Sequence, residues 1–161
     1  MSIRAYNPAI DTESLLEIYN YYVKETIVTF DLEPANATHF ESKISTNHPF
    51  IVVVEDNVIC GYAYSSSWRT KPAYNSTAEI SIYLHKDHVG KGYGSLLLQN
   101  LIERLDGKFH AIIGGIALPN HPSVKLFEKF GFEKVAHFKQ VGYKFEKYID
   151  VGFYQRLVPF S

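Results

Sequence analysis

The sequence predicts a mixed α/β fold in one domain, and three observations carry that prediction. Strand signals come first, with a continuous β-branched run at 50–54, strand and helix signals then alternate, and the last third returns to strand alternation. At 161 residues, with 46% hydrophobic and 20% charged side chains, the chain can bury one substantial core. No repeat, low-complexity stretch or long Pro/Gly/Ser linker divides it, so residues 1–161 are read as a single domain.

Taken in order, residues 3–6 read as a short strand, and Asp11 as the N-cap of a helix running to about residue 23. Leu15, Leu16, Ile18, Tyr19 and Tyr22 form the apolar stripe of that helix. A loop over residues 24–34 carries Thr29 and Phe30, and a second short helix is expected at about 37–43. Residues 50–54 are continuous and β-branched, as in a buried strand, and Asp56-Asn57 turns into a second strand at 58–66. After a polar and aromatic loop at 68–75, Thr77–Leu84 alternates strictly: Ala78, Ile80, Ile82 and Leu84 face one way, Glu79, Ser81 and Tyr83 the other.

A turn over 85–92 leads into a helix ending near Leu105, whose Leu97, Leu98, Leu101, Ile102 and Leu105 share one face. A strand follows at 109–117. Asn120 caps a helix that ends near Phe130, where Gly131 suits a left-handed C-cap. Residues 132–157 alternate apolar and polar side chains, and the interruption at Val141-Gly142 suggests two strands.

Composition excludes several function classes. The net charge of −1 gives no global field for nucleic acid or an anionic membrane. No apolar run approaches the ~20 residues of a membrane-spanning helix. The N-terminal residues show no apolar secretory segment, and the single cysteine fits a reducing compartment, so a cytoplasmic location is expected. Cys60 lies in an apolar strand and reads as a core residue. His85 and His88 stand three apart on a turn with no companion ligand at metal spacing, so no metal is expected.

The chemistry concentrates at Gly90-Lys91-Gly92-Tyr93-Gly94-Ser95, where a strand, a short turn and a helix meet. Glycines let backbone N–H groups approach a ligand closely, and the helix N-terminus adds unpaired donors and partial positive charge. Lys91 can add a formal charge. A P-loop is excluded by spacing, and so is the dinucleotide fingerprint, whose third glycine would fall at Leu97. A plain glycine-rich connection is the alternative reading of this turn taken alone.

With Val89, Gly92 and Gly94 in its Gln/Arg-x-x-Gly-x-Gly/Ala positions, the turn resembles the signature of the GNAT superfamily of N-acetyltransferases. Val89 departs from the usual Gln or Arg. Asn120-His121-Pro122-Ser123, with Leu126-Phe127 and Gly131-Phe132, is similar to the downstream helix of the same superfamily. The resemblance implies a central, mostly antiparallel twisted sheet flanked by about four helices. It implies acetyl-CoA as cosubstrate, held by Ile82, Tyr83, Leu84, Val89, Gly90, Lys91, Gly92, Tyr93, Gly94, Ser95, Asn120 and Ser123. The superfamily's thiolate-protonating Tyr corresponds to Phe127, which carries no proton to give.

Nearly the whole chain resembles the branch that acetylates phosphinothricin and methionine sulfone or sulfoximine. Matching stretches include Gly61-Tyr62-Ala63-Tyr64, Trp68-Arg69-Thr70-Lys71-Pro72-Ala73-Tyr74, Thr77-Ala78-Glu79 and Val141-Gly142-Tyr143-Lys144-Phe145. Members are generally homodimers. A protonated α-amine must lose its proton before attack, and Glu79, a carboxylate just ahead of the turn, is the candidate general base. A backbone N–H within residues 82–84 is the candidate oxyanion donor. Arg69 and Lys71 suit an anionic substrate, and Thr29, Phe30, Tyr74 and Lys144 complete the expected substrate site. Acetylation of another amine, such as a polyamine or a peptide N-terminus, and a non-catalytic CoA-binding module remain as alternatives.

Overall fold

A computed structural model describes residues 1–158. Seven strands form one sheet: β1 (Ser2–Ala5), β2 (Phe50–Glu55), β3 (Val58–Ser67), β4 (Thr77–Leu84), β5 (Ala111–Leu118), β6 (Glu133–Lys144) and β7 (Lys147–Leu157). Four helices flank it: α1 (Pro8–Glu25), α2 (Thr38–Glu41), α3 (Tyr93–Leu105) and α4 (His121–Lys129). The strand order is β1-β2-β3-β4-β5-β7-β6, and every neighbouring pair is antiparallel except β4 with β5. This is the mixed α/β class that the sequence predicts, with the mostly antiparallel sheet that the resemblance implies.

The core has two parts because the sheet is apolar on both faces. Leu97, Leu98, Leu101 and Leu105 of α3 are fully buried against Ala63, Ala78, Ile80 and Ile112. On the opposite face, Leu15, Ile18 and Tyr19 of α1 and Phe40 of α2 pack on Val52, Tyr62 and Tyr64. Burying each such Leu or Ile side chain stabilises the fold by roughly 2 kcal/mol.

Three local features differ from the sequence expectation. The cap of α1 is Asn7, whose side chain accepts the Ala9 N–H at 3.0 Å, because Pro8 is preorganised for the first helical position. Asp11 sits in the first turn instead, buried, accepting from both guanidinium nitrogens of Arg4 at 2.7 and 2.8 Å and from the Asn7 N–H at 2.8 Å. The second helix is shortened to Thr38–Glu41, enough to bury Phe40. In the last hairpin the turn is Phe145-Glu146, both at positive φ, while Val141-Gly142 lies inside β6 next to a register shift.

A candidate acyl-transfer cleft

The site begins where the sheet comes apart. Strands β4 and β5 pair only at Thr77–Ala111, Ala78–Ile112 and Glu79–Ile113. Beyond Glu79 they diverge, and a cleft of about 620 Å³ opens between Ile80–Leu84 on one side and Gly115–Ala117 on the other. Helix α4 closes one flank with Asn120, Pro122, Ser123, Leu126 and Phe127, and Tyr22 and Val28 reach in from α1 and the following loop.

The cleft ends at the glycine turn. Gly90 and Gly92 have φ of 75° and 88°, a left-handed conformation that a side chain would strain, and no atom lies within 4 Å of where a Cβ would stand. Gly92 is the N-cap of α3, a helix of 13 residues with no side-chain cap, so the first-turn N–H groups are left for a ligand. This open cradle at the cleft's end fits a pyrophosphate. Of the residues expected to hold the cofactor, Ile82, Tyr83, Leu84, Val89, Gly90, Gly92, Gly94, Ser95, Asn120 and Ser123 all line the cleft. Lys91 and Tyr93 do not: Lys91 is exposed, and the Tyr93 ring turns into the core beside His88. Asn120 also performs its local task, its side-chain oxygen accepting the Ser123 N–H at 3.3 Å. Phe127 lines the cleft while packing on Phe132 and Tyr154.

Glu79 stands at the point of divergence. Its strand face, shared with Ser81 and Tyr83, also carries Tyr62, Tyr64 and Ser66 of β3, with Ser66 opposite Glu79 and Tyr64 opposite Ser81. Burial pushes the Glu79 carboxyl above its ordinary range, and the charges of Arg69 and Lys43 only partly draw it back. A half-buried carboxylate of raised pKa is a better proton acceptor at neutral pH than an exposed one. Nothing in the exposed stretch around Lys43 marked it in the sequence, yet its ammonium lies 5.3 Å from the centre of the Tyr64 ring.

Thr29, Phe30 and Lys144 come together as one unit. The Lys144 ammonium is buried and donates to the Thr29 carbonyl at 2.8 Å and the Tyr22 carbonyl at 3.4 Å. It therefore pins the loop after α1 to β6 and is not presented to the cleft, unlike the substrate contact expected of it. Thr29 hydrogen-bonds Tyr19 at 2.9 Å, and Tyr19 also donates to Asp31. The Phe30 ring lies flat against Gly142, where a Cβ would come within 2.3 Å of it. Arg69 lies over the Trp68 ring at 4.0 Å on the loop entering β4, and Lys71 and Tyr74 are exposed on the same loop. None of these three lines the cleft, although the Arg69 charge reaches Glu79. His85 accepts the Asp87 N–H at 3.1 Å, and Cys60 is buried. Among the described residues no three His, Cys, Asp or Glu side chains form a metal-sized group, and no helix is long and apolar enough to cross a membrane.

Residues 15–132 match the acetyltransferase (GNAT) family. The phosphinothricin N-acetyltransferase of Streptomyces coelicolor is 37% identical over 91% of this chain and 90% of its own. The L-methionine sulfoximine/L-methionine sulfone acetyltransferase of Salmonella typhimurium is 34% identical over 96% of this chain and 93% of its own. A phosphinothricin acetyltransferase of Sinorhizobium meliloti, solved with acetyl-CoA, superimposes with a TM-score of 0.92 at 31% identity, covering 98% of this chain and 88% of that one.

Proposed function

The chain belongs to the acetyltransferase (GNAT) family and is an N-acetyltransferase of the phosphinothricin and methionine sulfoximine type; from that premise we propose how it works and on what. It transfers the acetyl group of acetyl-CoA directly to the α-amine of a small amino acid or analogue, both substrates being bound together. The observation that carries this reading is Glu79 at the divergence of β4 and β5, between the glycine-cradled cleft and the α1 face of the sheet.

In this reading Gly90, Gly92, Gly94 and Ser95 receive the pyrophosphate, and Asn120 and Ser123 line the pantetheine path. Glu79, directly or through one water, takes a proton from the acceptor's ammonium. The freed amine attacks the thioester carbonyl, and a backbone N–H within Ile82–Leu84 supports the oxyanion. Collapse breaks the C–S bond and expels CoA as its thiolate, and the second proton of the nitrogen passes through water to that sulfur, giving the amide and free CoA. Phe127 donates no proton, and a thiol of ordinary pKa near ~8.5 needs little help to leave.

Arg69 and Lys43, whose charges both act on Glu79, suit the carboxylate or the phosphinyl or sulfonyl group of the acceptor, with Thr29 and Phe30 as pocket wall. Two cations whose charges reach Glu79 disfavour a polyamine, whose recognition calls for acidic walls. The exposed apolar side chains of the last hairpin suit a homodimer.

A thiol-release assay with acetyl-CoA tests the substrate class. Methionine sulfone, methionine sulfoximine or phosphinothricin are expected to turn over at least tenfold faster (about 1.4 kcal/mol) than spermidine or a short peptide. Turnover confined to spermidine or the peptide contradicts the proposal.

A further inference from the structure

The cradle lacks the polar residue expected at position 89, where an exposed Val89 borders the cleft. Pyrophosphate carries two negative charges, and the backbone donors of the turn carry only partial ones. A cation is expected nearby, and Lys91, inside the turn, is the obvious candidate. It does not line the cleft, however, and among the described residues it makes no hydrogen bond to one that does.

A different lysine reaches the cradle. On α4, Ser123, Leu126 and Lys129 follow at three-residue intervals, so they lie along one helix face. The first two line the cleft. Lys129 extends that face to the cradle, where its Nζ lies 3.2 Å from Oγ of Ser95 in the first turn of α3. It is exposed, 5.6 Å from the centre of its neighbour's Phe130 ring, and no carboxylate pairs with it among the described residues.

We propose that Lys129, and not Lys91, supplies the formal positive charge of the pyrophosphate site, delivered from α4 beside Ser95 in place of the side chain missing at Val89. The proposal rests on the acetyl-CoA reading above. On substrate binding the ammonium exchanges the Ser95 hydroxyl for a phosphate oxygen, and the Ser95 hydroxyl is released to donate to the same group.

The test is the Michaelis constant of wild type, Lys129→Ala, Lys129→Arg, Lys91→Ala and Lys125→Ala for three acyl donors: acetyl-CoA, acetyl-dephospho-CoA and acetyl-pantetheine. Lys129→Ala is expected to raise KM about fivefold or more for the first two donors and to leave acetyl-pantetheine, which lacks the pyrophosphate, unchanged. Lys129→Arg is expected to restore most of the loss, Lys91→Ala to cost less than Lys129→Ala, and Lys125→Ala, on the exposed side of α4, to be neutral. The proposal is overturned if Lys129→Ala is neutral, if acetyl-pantetheine suffers equally, or if Lys91→Ala costs more. A loss seen with acetyl-CoA but absent with acetyl-dephospho-CoA also overturns it, by moving the contact to the 3′-phosphate. A wild-type chain that uses no CoA thioester at all overturns the acetyltransferase reading itself, which separates that failure from one confined to Lys129.

Discussion

The role proposed for Glu79 rests on where the fold places one carboxylate. Alternation along β4 fixed its face in the sequence, because a strand's side chains point to opposite sides by geometry alone. What the sequence left open was its setting, since burial, Tyr64 across the strand pair and the charges of Arg69 and Lys43 come from segments far along the chain. The same contrast separates Asn120, legible as a cap, from Lys144, whose burial against two backbone carbonyls depends on a loop more than 100 residues away. At this scale the prediction concerns the pH–rate profile. A carboxyl that must be ionised to accept a proton, and whose pKa is raised by burial, makes activity rise with pH through that raised pKa. Glu79→Gln is expected to lower kcat by about 100-fold or more, to abolish that acid limb and to leave KM for acetyl-CoA unchanged. An acid limb that persists in the variant removes Glu79 from the role.

At the scale of elements, segments with a clear hydrophobic period are the legible ones. The α3 stripe and the β2–β3 hairpin follow from side-chain spacing and an Asp-Asn turn whose two residues both adopt positive φ. In the last hairpin Val141-Gly142 has the composition of a turn yet lies inside β6. Gly142 is instead needed for the close approach of the Phe30 ring, and the reversal falls at Phe145-Glu146. That hairpin places Val141, Tyr143 and Tyr148 on its outer side at 60%, 57% and 67% exposure, while Gly142 and Lys144 face inward. A contiguous apolar face of this kind on an end strand invites a second copy. Light scattering is expected to give twice the chain mass, and Tyr143→Glu with Tyr148→Glu to give the single mass. A wild-type chain that scatters as a monomer at micromolar concentration contradicts the homodimer.

For the whole molecule, the mixed α/β class was legible because its strands and helices have different hydrophobic periods. The divergence of β4 from β5 was not, because only three residue pairs hold the two parallel strands together and no sequence pattern marks where pairing stops. In the proposed reading function depends on that divergence, which turns a continuous sheet into a cleft with Glu79 beside one end and the glycine turn at the other. The most direct test of the account is the fate of the acetyl group after acetyl-CoA and methionine sulfone are incubated with the protein. Mass spectrometry is expected to find one acetyl group on the α-nitrogen of the acceptor, formed at the rate at which thiol appears, with no acetyl left on the protein. Thiol release with an unmodified acceptor, or an acetylated protein that accumulates before the product, contradicts direct transfer in the cleft.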